Sequence, residues 1–184
     1  MVITFDNPPL ISGARAYANF YENDMWFRVQ APLGNPLYDV MRQMAPSLSL
    51  KPQNGTPHME FAPSVSYGNY VVFSLLSSNT FGLGSVDLAD NISPSSINRS
   101  IEFNGYKLNG SVVTNIFTTP GGGATNFQTL NFSTDFNSDL VRVEMPISVW
   151  AMDNLVIVPE PSTVVIMLGG LAALVWRARA KKCQ

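Results

Sequence analysis

The chain has 184 residues, enough for one domain with a full core, and its charged share of 13 % is about half the usual level. Outside Glu160 and the basic C-terminal end, it holds 7 Lys and Arg against 12 Asp and Glu. Because nucleic-acid binding requires clustered cations, we predict no nucleic-acid partner. The one cysteine, Cys183, lies beside the last residue, which excludes a disulfide or a cysteine nucleophile in the rest of the chain.

The first part of the chain predicts short strands separated by turn-forming residues. We predict strands at 2–5, 25–30 and 58–61, where apolar residues are bounded by Pro, Gly, Asn or Asp. The stretch 13–24 is predicted to be irregular and aromatic. The helical spacing of Val40, Met41 and Met44 predicts one or two turns of helix over 38–44.

The second part of the chain carries the stronger β signal. Strands are predicted at 69–76, 84–88, 111–118, 127–132, 140–145 and 155–158. The dipeptide Asn104-Gly105 between apolar runs predicts a hairpin turn within 100–108. Many short strands between turn signals predict an all-β fold, a two-sheet antiparallel sandwich.

The C-terminal stretch has three parts in a fixed order. A polar motif comes first, then an uncharged apolar run over 164–176, then a basic tail over 177–184. The motif residues are Pro159, Glu160, Pro161, Ser162 and Thr163, and the tail cations are Arg177, Arg179, Lys181 and Lys182.

Physical chemistry gives each of these three parts a role. As a helix, the apolar run would be roughly 20 Å long. A bilayer core is about 30 Å thick, so the run predicts one short transmembrane helix. The positive-inside rule places the basic tail in the cytoplasm. The prolines on either side of Glu160 predict an extended, accessible segment just outside the bilayer.

This order of motif, apolar run and basic tail resembles a PEP-CTERM sorting signal, the bacterial tail that an exosortase recognises. The resemblance implies export, transient anchoring in the inner membrane, cleavage near the motif, and release to the cell surface or the extracellular polymer. The predicted organisation is an extracytoplasmic β-sandwich over 1–157 followed by a sorting signal over 158–184. A permanent single-span membrane protein with an uncut tail is the alternative.

The beginning of the sequence does not match this implied export. A secretory signal peptide needs a basic start and an apolar region, and the first 30 residues have neither. We therefore expect that translation starts upstream of Met1.

The body resembles the jelly-roll, galactose-binding-like sandwiches that precede PEP-CTERM tails. The resemblance rests on Phe127-Gln128-Thr129, Phe136, Leu140 and Met152-Asp153-Asn154-Leu155. In a jelly roll the first and last strands commonly lie close together, which would bring Asp6 near Asp153. Their carboxylates are hard oxygen ligands, and the resembled sandwiches often carry calcium, so the pair is a candidate structural Ca²⁺ site. Capping of strand ends is the simpler alternative, and we predict no other cofactor.

No residue pattern in the body indicates catalysis. His58 is the only histidine, no G-x-S-x-G motif supplies a nucleophilic serine, and the turn-forming Gly55-Thr56-Pro57 before it predicts a surface or loop histidine. We predict that the protein is not an enzyme. A secreted carbohydrate-active hydrolase is the alternative, using two of the acids Glu22, Asp24, Glu60, Glu102 and Glu144.

The aromatic residues of the body allow a binding role instead. Aromatic rings stack on sugar rings in carbohydrate-binding sandwiches, although burial in the core is their more common role. The candidates are Tyr17, Phe20, Tyr21, Trp26, Tyr67 and Tyr70. The predicted function is a non-catalytic surface or matrix protein whose partners are an exosortase, the inner membrane and extracellular polysaccharide.

Overall fold

A computed structural model of the chain describes residues 1–37, 39–46, 55–63, 68–90, 98–119 and 126–160. Regular structure in these ranges is nearly all β, with a single turn of 3-10 helix at Thr134–Phe136. The strands are β1 Val2–Ile3, β2 Ala14–Tyr17, β3 Asn19–Glu22, β4 Met25–Gln30, β5 Met41–Met44, β6 His58–Phe61, β7 Tyr70–Leu75, β8 Phe81–Leu83, β9 Ser85–Ala89, β10 Arg99–Lys107, β11 Val112–Thr119, β12 Gln128–Asn131, β13 Leu140–Met145, β14 Trp150–Asp153 and β15 Leu155–Pro159.

The strands form two antiparallel sheets, as the sequence predicts. Within the described part of the chain, one sheet has nine strands and contains the path β11-β10-β13-β7-β4-β3. The strands β8, β15 and β1 join this sheet where Leu140 of β13 lies opposite Phe81 of β8. The second sheet has six strands in the order β12-β9-β14-β6-β5-β2. The prediction of an all-β, two-sheet sandwich is confirmed.

The core consists of the inward-facing side chains of the strands. Alternation is clearest in β4, where Met25, Phe27 and Val29 are buried and the residues between them are half-buried. Phenylalanine dominates the core, and Trp150 of β14 is its largest buried side chain. Burying a large aromatic side chain stabilises the folded state by about 1.5–3 kcal/mol, so this aromatic core is the main source of stability.

The helix predicted over 38–44 is wrong, because residues 41–44 form strand β5 instead. β5 pairs with β2 on one side and β6 on the other, and both pairings involve residues distant in sequence. The Gln43 side chain is fully buried and donates to the carbonyl oxygens of Phe5 (2.6 Å) and Pro8 (2.9 Å). These long-range contacts favour the strand over the weak local helical pattern.

The hairpin turn predicted at Asn104-Gly105 is also wrong, because both residues lie inside β10. The chain turns at the next Asn-Gly pair, Asn109-Gly110, where Gly110 has φ +85° and the Asn109 carboxamide accepts the N–H of Ser111 (2.9 Å). Gly105 is required for packing instead, since a Cβ there would lie 2.7 Å from Cδ2 of Leu140. The predicted hairpin therefore exists, but its turn lies five residues later.

The predicted strands at 25–30, 58–61 and 140–145 match β4, β6 and β13. The stretch 13–24, predicted to be irregular, contains strands β2 and β3. The sequence did not predict β8 and β14, both fully buried.

Candidate functional site

Strand β15 carries the beginning of the C-terminal stretch into the folded body. It lies between β1 and β8, with Leu155 and Ile157 packed in the core. Val158 pairs with Gly82 and Pro159 pairs with Phe81. The strand therefore extends two residues beyond the body boundary predicted at 157, and the first proline of the motif lies within a sheet.

The side chain of Glu160 is fixed to the body immediately after β15. Its Oε2 accepts a hydrogen bond from the Thr80 hydroxyl (2.7 Å), and its Oε1 accepts the backbone N–H of Asp139. Hydrogen bonds to a carboxylate are roughly twice as strong as those between neutral groups. Glu160 is half-buried, and both of its carboxylate oxygens accept hydrogen bonds from the body.

The loop that binds Glu160 reaches β15 because Gly82 has no side chain. A Cβ at Gly82 would collide with the backbone of Asn137. Two residues later, Asp139 adopts a left-handed conformation with φ +64°, and its carbonyl oxygen accepts the N–H of Leu108 (2.9 Å). Asp139 is thus held through its carbonyl oxygen, and its N–H is directed at Glu160.

The described residues end at Glu160, so the rest of the predicted sorting signal lies outside them. This applies to Pro161, Ser162 and Thr163, to the predicted helix 164–176, and to Arg177, Arg179, Lys181 and Lys182. Among the described residues, the structure contains no helix long and apolar enough to cross a membrane.

Comparison with known families identifies this C-terminal stretch. The family model of the PEP-CTERM protein-sorting motif matches residues 158–181. These residues are a PEP-CTERM sorting motif. The PEP-CTERM motif supports exosortase-dependent sorting of the protein to the cell surface, through a membrane-anchored precursor. No curated protein matches the chain.

Asp153, one of the two predicted calcium ligands, lies at the end of β14 and is fully buried. Its Oδ2 accepts the Thr56 hydroxyl (3.0 Å) and its Oδ1 accepts the backbone N–H of Asn154 (2.8 Å). Asp87 of β9 lies directly opposite Asp153, and its Oδ2 accepts the carboxamide of Asn154 (2.8 Å). The structure therefore brings Asp153 together with Asp87, and only the long-range pairing of β9 with β14 reveals this.

Asp6, the other predicted ligand, follows β1 and lies near Glu22 of β3, whose pKa is raised mainly by burial and further by the charge of Asp6. Its Oδ1 is buried with no hydrogen-bond partner among the described residues. Within the same ranges, no group of three or more His, Cys, Asp or Glu side chains is arranged to hold a metal ion. Calcium binding by Asp6 and Asp153 stays a prediction.

His58 is not the surface or loop histidine that the sequence predicted. It begins β6, is fully buried, and its ring lies 5.3 Å from the ring of Phe127. Its Nε2 is 3.4 Å from Oε1 of Glu60, two residues along the same strand. The turn signal at 55–57 predicted exposure, but pairing with β5 and β14 places this strand inside its sheet.

The five acids considered for hydrolysis each have a partner of their own. Glu22 accepts the Phe5 N–H, Asp24 the Ser77 hydroxyl, Glu102 the Asn104 carboxamide and Glu144 the Tyr106 hydroxyl, while Glu60 contacts His58. Each of the five carboxyl groups therefore has a structural role in the contact with its own partner.

The outward face of the nine-stranded sheet carries aromatic and charged side chains on β3 and β4. The rings of Tyr21 and Trp26 are nearly parallel, 6° apart in orientation, with centroids 6.0 Å apart. The Arg28 guanidinium lies 4.2 Å from the Trp26 ring centroid, and the Trp26 indole N–H donates to Asn19 Oδ1 (3.1 Å). These contacts hold the indole upright on the sheet surface.

A second group of aromatic and charged side chains lies on β10 and β13. The Arg142 guanidinium lies 3.9 Å from the Tyr106 ring centroid and donates to Glu144 Oε1 (3.0 Å). The Tyr106 hydroxyl donates to Glu144 Oε2 (2.9 Å), and this bond to a carboxylate raises the pKa of Tyr106. The three side chains therefore form a closed hydrogen-bonded and cation–π cluster.

Strand β7 connects the two groups. Val72 lies opposite Arg28 on one side and Glu144 on the other, and it is 1 % exposed although it faces outward. Beside it, a pocket of about 220 Å³ is lined by Gly68, Tyr70, Glu144, Pro146 and Ile147. The surface formed by Tyr21, Trp26, Arg28, Tyr70, Tyr106, Arg142 and Glu144 is called the aromatic face below.

Only some of the predicted sugar-stacking residues lie on the aromatic face. Tyr21, Trp26 and Tyr70 do, whereas Phe20 is in the core and Tyr17 packs against its ring at 5.2 Å; Tyr67 lies outside the described residues. Sequence analysis missed Tyr106, because it placed this residue just after a hairpin turn. The alternation of Arg142 and Glu144 in β13 was a detectable signal that both face outward.

Proposed function

We propose that the protein is a non-catalytic surface protein that an exosortase processes and that binds polysaccharide through its aromatic face. Before processing, the segment 164–176 would span the inner membrane with the tail cations in the cytoplasm. Processing near the motif would then release the body to the surface or the extracellular polymer. The sorting part of this proposal is supported by the motif at 158–181.

The observation that supports polysaccharide binding is the pocket between Tyr70 and Glu144. Its volume, about 220 Å³, is below the 300–1,000 Å³ of drug-sized sites, so it fits one sugar unit of a chain crossing the sheet. The Tyr70 ring offers a surface for stacking, and the Glu144 carboxylate accepts hydroxyl groups. Tyr21 and Trp26 extend this apolar surface across β3 and β4.

The charged residues of the aromatic face add hydrogen-bonding capacity. Arg28 Nε is buried with no hydrogen-bond partner among the described residues. A guanidinium carries five N–H donors, and we expect the terminal N–H groups of Arg28, rather than the buried Nε, to donate to sugar hydroxyl or carboxylate oxygens. Of the described residues that line the pocket, Glu144 alone carries a carboxylate. Glycoside hydrolysis normally uses two carboxyl groups, which favours binding over the hydrolase alternative.

Replacement of Tyr70 tests the binding proposal. We expect Tyr70→Ala to weaken binding by up to about tenfold, the value of an aromatic contact. Tyr70→Phe keeps the ring and loses only the hydroxyl that donates to Gln30 (3.2 Å), so it should bind like the wild type. The measurement is affinity gel electrophoresis of the full chain in detergent, with dextran, xylan and alginate as probes.

The control is Ile116→Ala on β11, an exposed apolar residue outside the aromatic face (59 % exposed). It should leave the mobility shift unchanged. Equal binding by the wild type and Tyr70→Ala, or retardation by none of the three polysaccharides, would contradict the proposed binding role and leave the sorting role intact.

A further inference from the structure

The PEP-CTERM motif begins inside the folded body. The matched segment starts at Val158, and both Val158 and Pro159 are paired with β8. Glu160, the acidic residue of the motif, is the next residue and is bound by its side chain. The motif and the body are therefore one continuous structure up to Glu160.

The body provides a built site for the Glu160 carboxylate. Thr80 supplies a hydroxyl donor at 2.7 Å, and the Asp139 peptide supplies an N–H. The Asp139 peptide is itself fixed by the N–H of Leu108, and Gly82 leaves the space through which its loop approaches. Both carboxylate oxygens are thus occupied by donors from segments distant in sequence.

We propose that the folded body withholds Glu160 from the exosortase, so that the motif is processed only after the end of β15 detaches. This inference rests on the proposed exosortase processing. An enzyme that binds the motif in extended form must first break the hydrogen bonds of Glu160 to Thr80 and Asp139. Its apparent affinity is lowered by the small fraction of molecules in which the strand end is open. Thr80 is a positioning residue in this account.

Substitution of Thr80 tests the inference in the full-length precursor, expressed in membranes with an exosortase. Thr80→Val has nearly the same shape but no hydroxyl, so we expect processing about fivefold faster than in the wild type. Thr80→Ser restores the donor and should restore the wild-type rate. The readout is a time course of the cleaved fraction, followed by intact mass.

Two further measurements separate release of Glu160 from general destabilisation. The amide hydrogen of Asp139 should exchange faster in Thr80→Val and not in Thr80→Ser, because Glu160 is its acceptor. The matched control is Thr114→Val on β11. This substitution removes another threonine hydroxyl, which donates to the side chain of Asn104 (2.7 Å). This control should leave both the processing rate and the Asp139 exchange rate unchanged.

The outcomes distinguish the proposed withholding of Glu160 by the body, called the gate here, from the sorting role itself. Faster processing in Thr80→Val, with a normal rate in Thr80→Ser, supports the gate. Equal or slower processing in Thr80→Val overturns the gate while the proposed processing stands. A precursor that stays uncleaved in the wild type and in Thr80→Val alike overturns both proposals.

Discussion

Glu22 shows how one buried acid joins the N-terminal segment to the sheet. Its carboxylate accepts the backbone N–H of Phe5 (2.8 Å) and the hydroxyl of Thr4 (3.2 Å). Phe5 has a positive φ of 57°, so the chain reverses there with its N–H directed at Glu22. Burial raises the pKa of the Glu22 carboxyl, the N–H of Phe5 opposes this, and the nearby charge of Asp6 adds to the increase.

This raised pKa predicts how stability depends on pH. A carboxyl whose pKa is higher in the folded than in the unfolded chain binds its proton more tightly when folded. Its contribution to stability is complete below the ordinary pKa of 4.5 and is lost as pH rises through the folded pKa. We therefore expect the unfolding free energy of the wild type, relative to Glu22→Gln, to be larger at about pH 5 than at about pH 7. Urea unfolding of both proteins measures this difference, and a difference that is constant or grows towards neutral pH would contradict it.

Hydrogen bonds within the protein account for the burial of the Asp153 carboxylate. It accepts the N–H of the next residue, Asn154, whose φ is +46°, and so provides an acceptor for a backbone donor at the end of β14. The Thr56 hydroxyl satisfies its other oxygen. The simpler alternative to a calcium site therefore has direct support at this residue.

A calcium titration decides between these two roles. Because both oxygens of Asp153 already accept hydrogen bonds, the capping alternative predicts that addition of CaCl₂ after EGTA treatment leaves the Tm unchanged. The measurement is a thermal unfolding curve of the wild type, with Asp153→Asn as the matched variant. A Tm that rises with calcium in the wild type and not in Asp153→Asn would reverse this assignment.

Among the structural elements, local sequence patterns predicted the strands well and the positions of turns less well. Residues 140–145 alternate apolar and charged side chains, and β13 follows that pattern, with Val143 and Met145 buried and Arg142 exposed. The Asn-Gly signal at 104–105 failed because it gives the local preference only. Packing against Leu140 and Phe136 decides that Gly105 belongs to a strand, and a sequence pattern cannot supply such a contact.

The element that matters most for sorting is β15, and the sequence predicted only part of its role. Its apolar run predicted a strand over 155–158, and the structure extends that strand to Pro159. A proline lacks the N–H that a sheet uses, so the motif was expected to be free of the body. In the structure Pro159 is the last residue of β15, and Glu160 after it lies within hydrogen-bond reach of Thr80.

For the whole molecule, the sandwich places the start of the sorting motif in a sheet, on the strand between β1 and β8. β15 pairs with β1 near the start of the chain and with β8 half-way along it. The site for Glu160 therefore forms only when distant parts of the chain have assembled. The sorting motif is therefore coupled to the fold of the body, and in the proposed gate the rate of processing depends on how often the end of β15 detaches.

The two candidate sites differ in how far the sequence could predict them. The sorting motif is visible in the sequence because it depends on a local order of residues that needs no tertiary structure. The aromatic face depends on the neighbour relations of five strands, β3, β4, β7, β13 and β10. Composition named Tyr21, Trp26 and Tyr70, but only the register placed Glu144 beside Val72 and Tyr106 against Arg142.

The most direct test of the central claim, that the C-terminal stretch is a processed sorting signal, is the intact mass of the protein from the envelope and the medium of its native host. We expect the surface and medium fractions to contain a form that ends between Pro159 and Thr163, without the apolar run and the basic tail. A protein found only in the membrane fraction, with Gln184 still present, would contradict the account and favour a permanent single-span anchor.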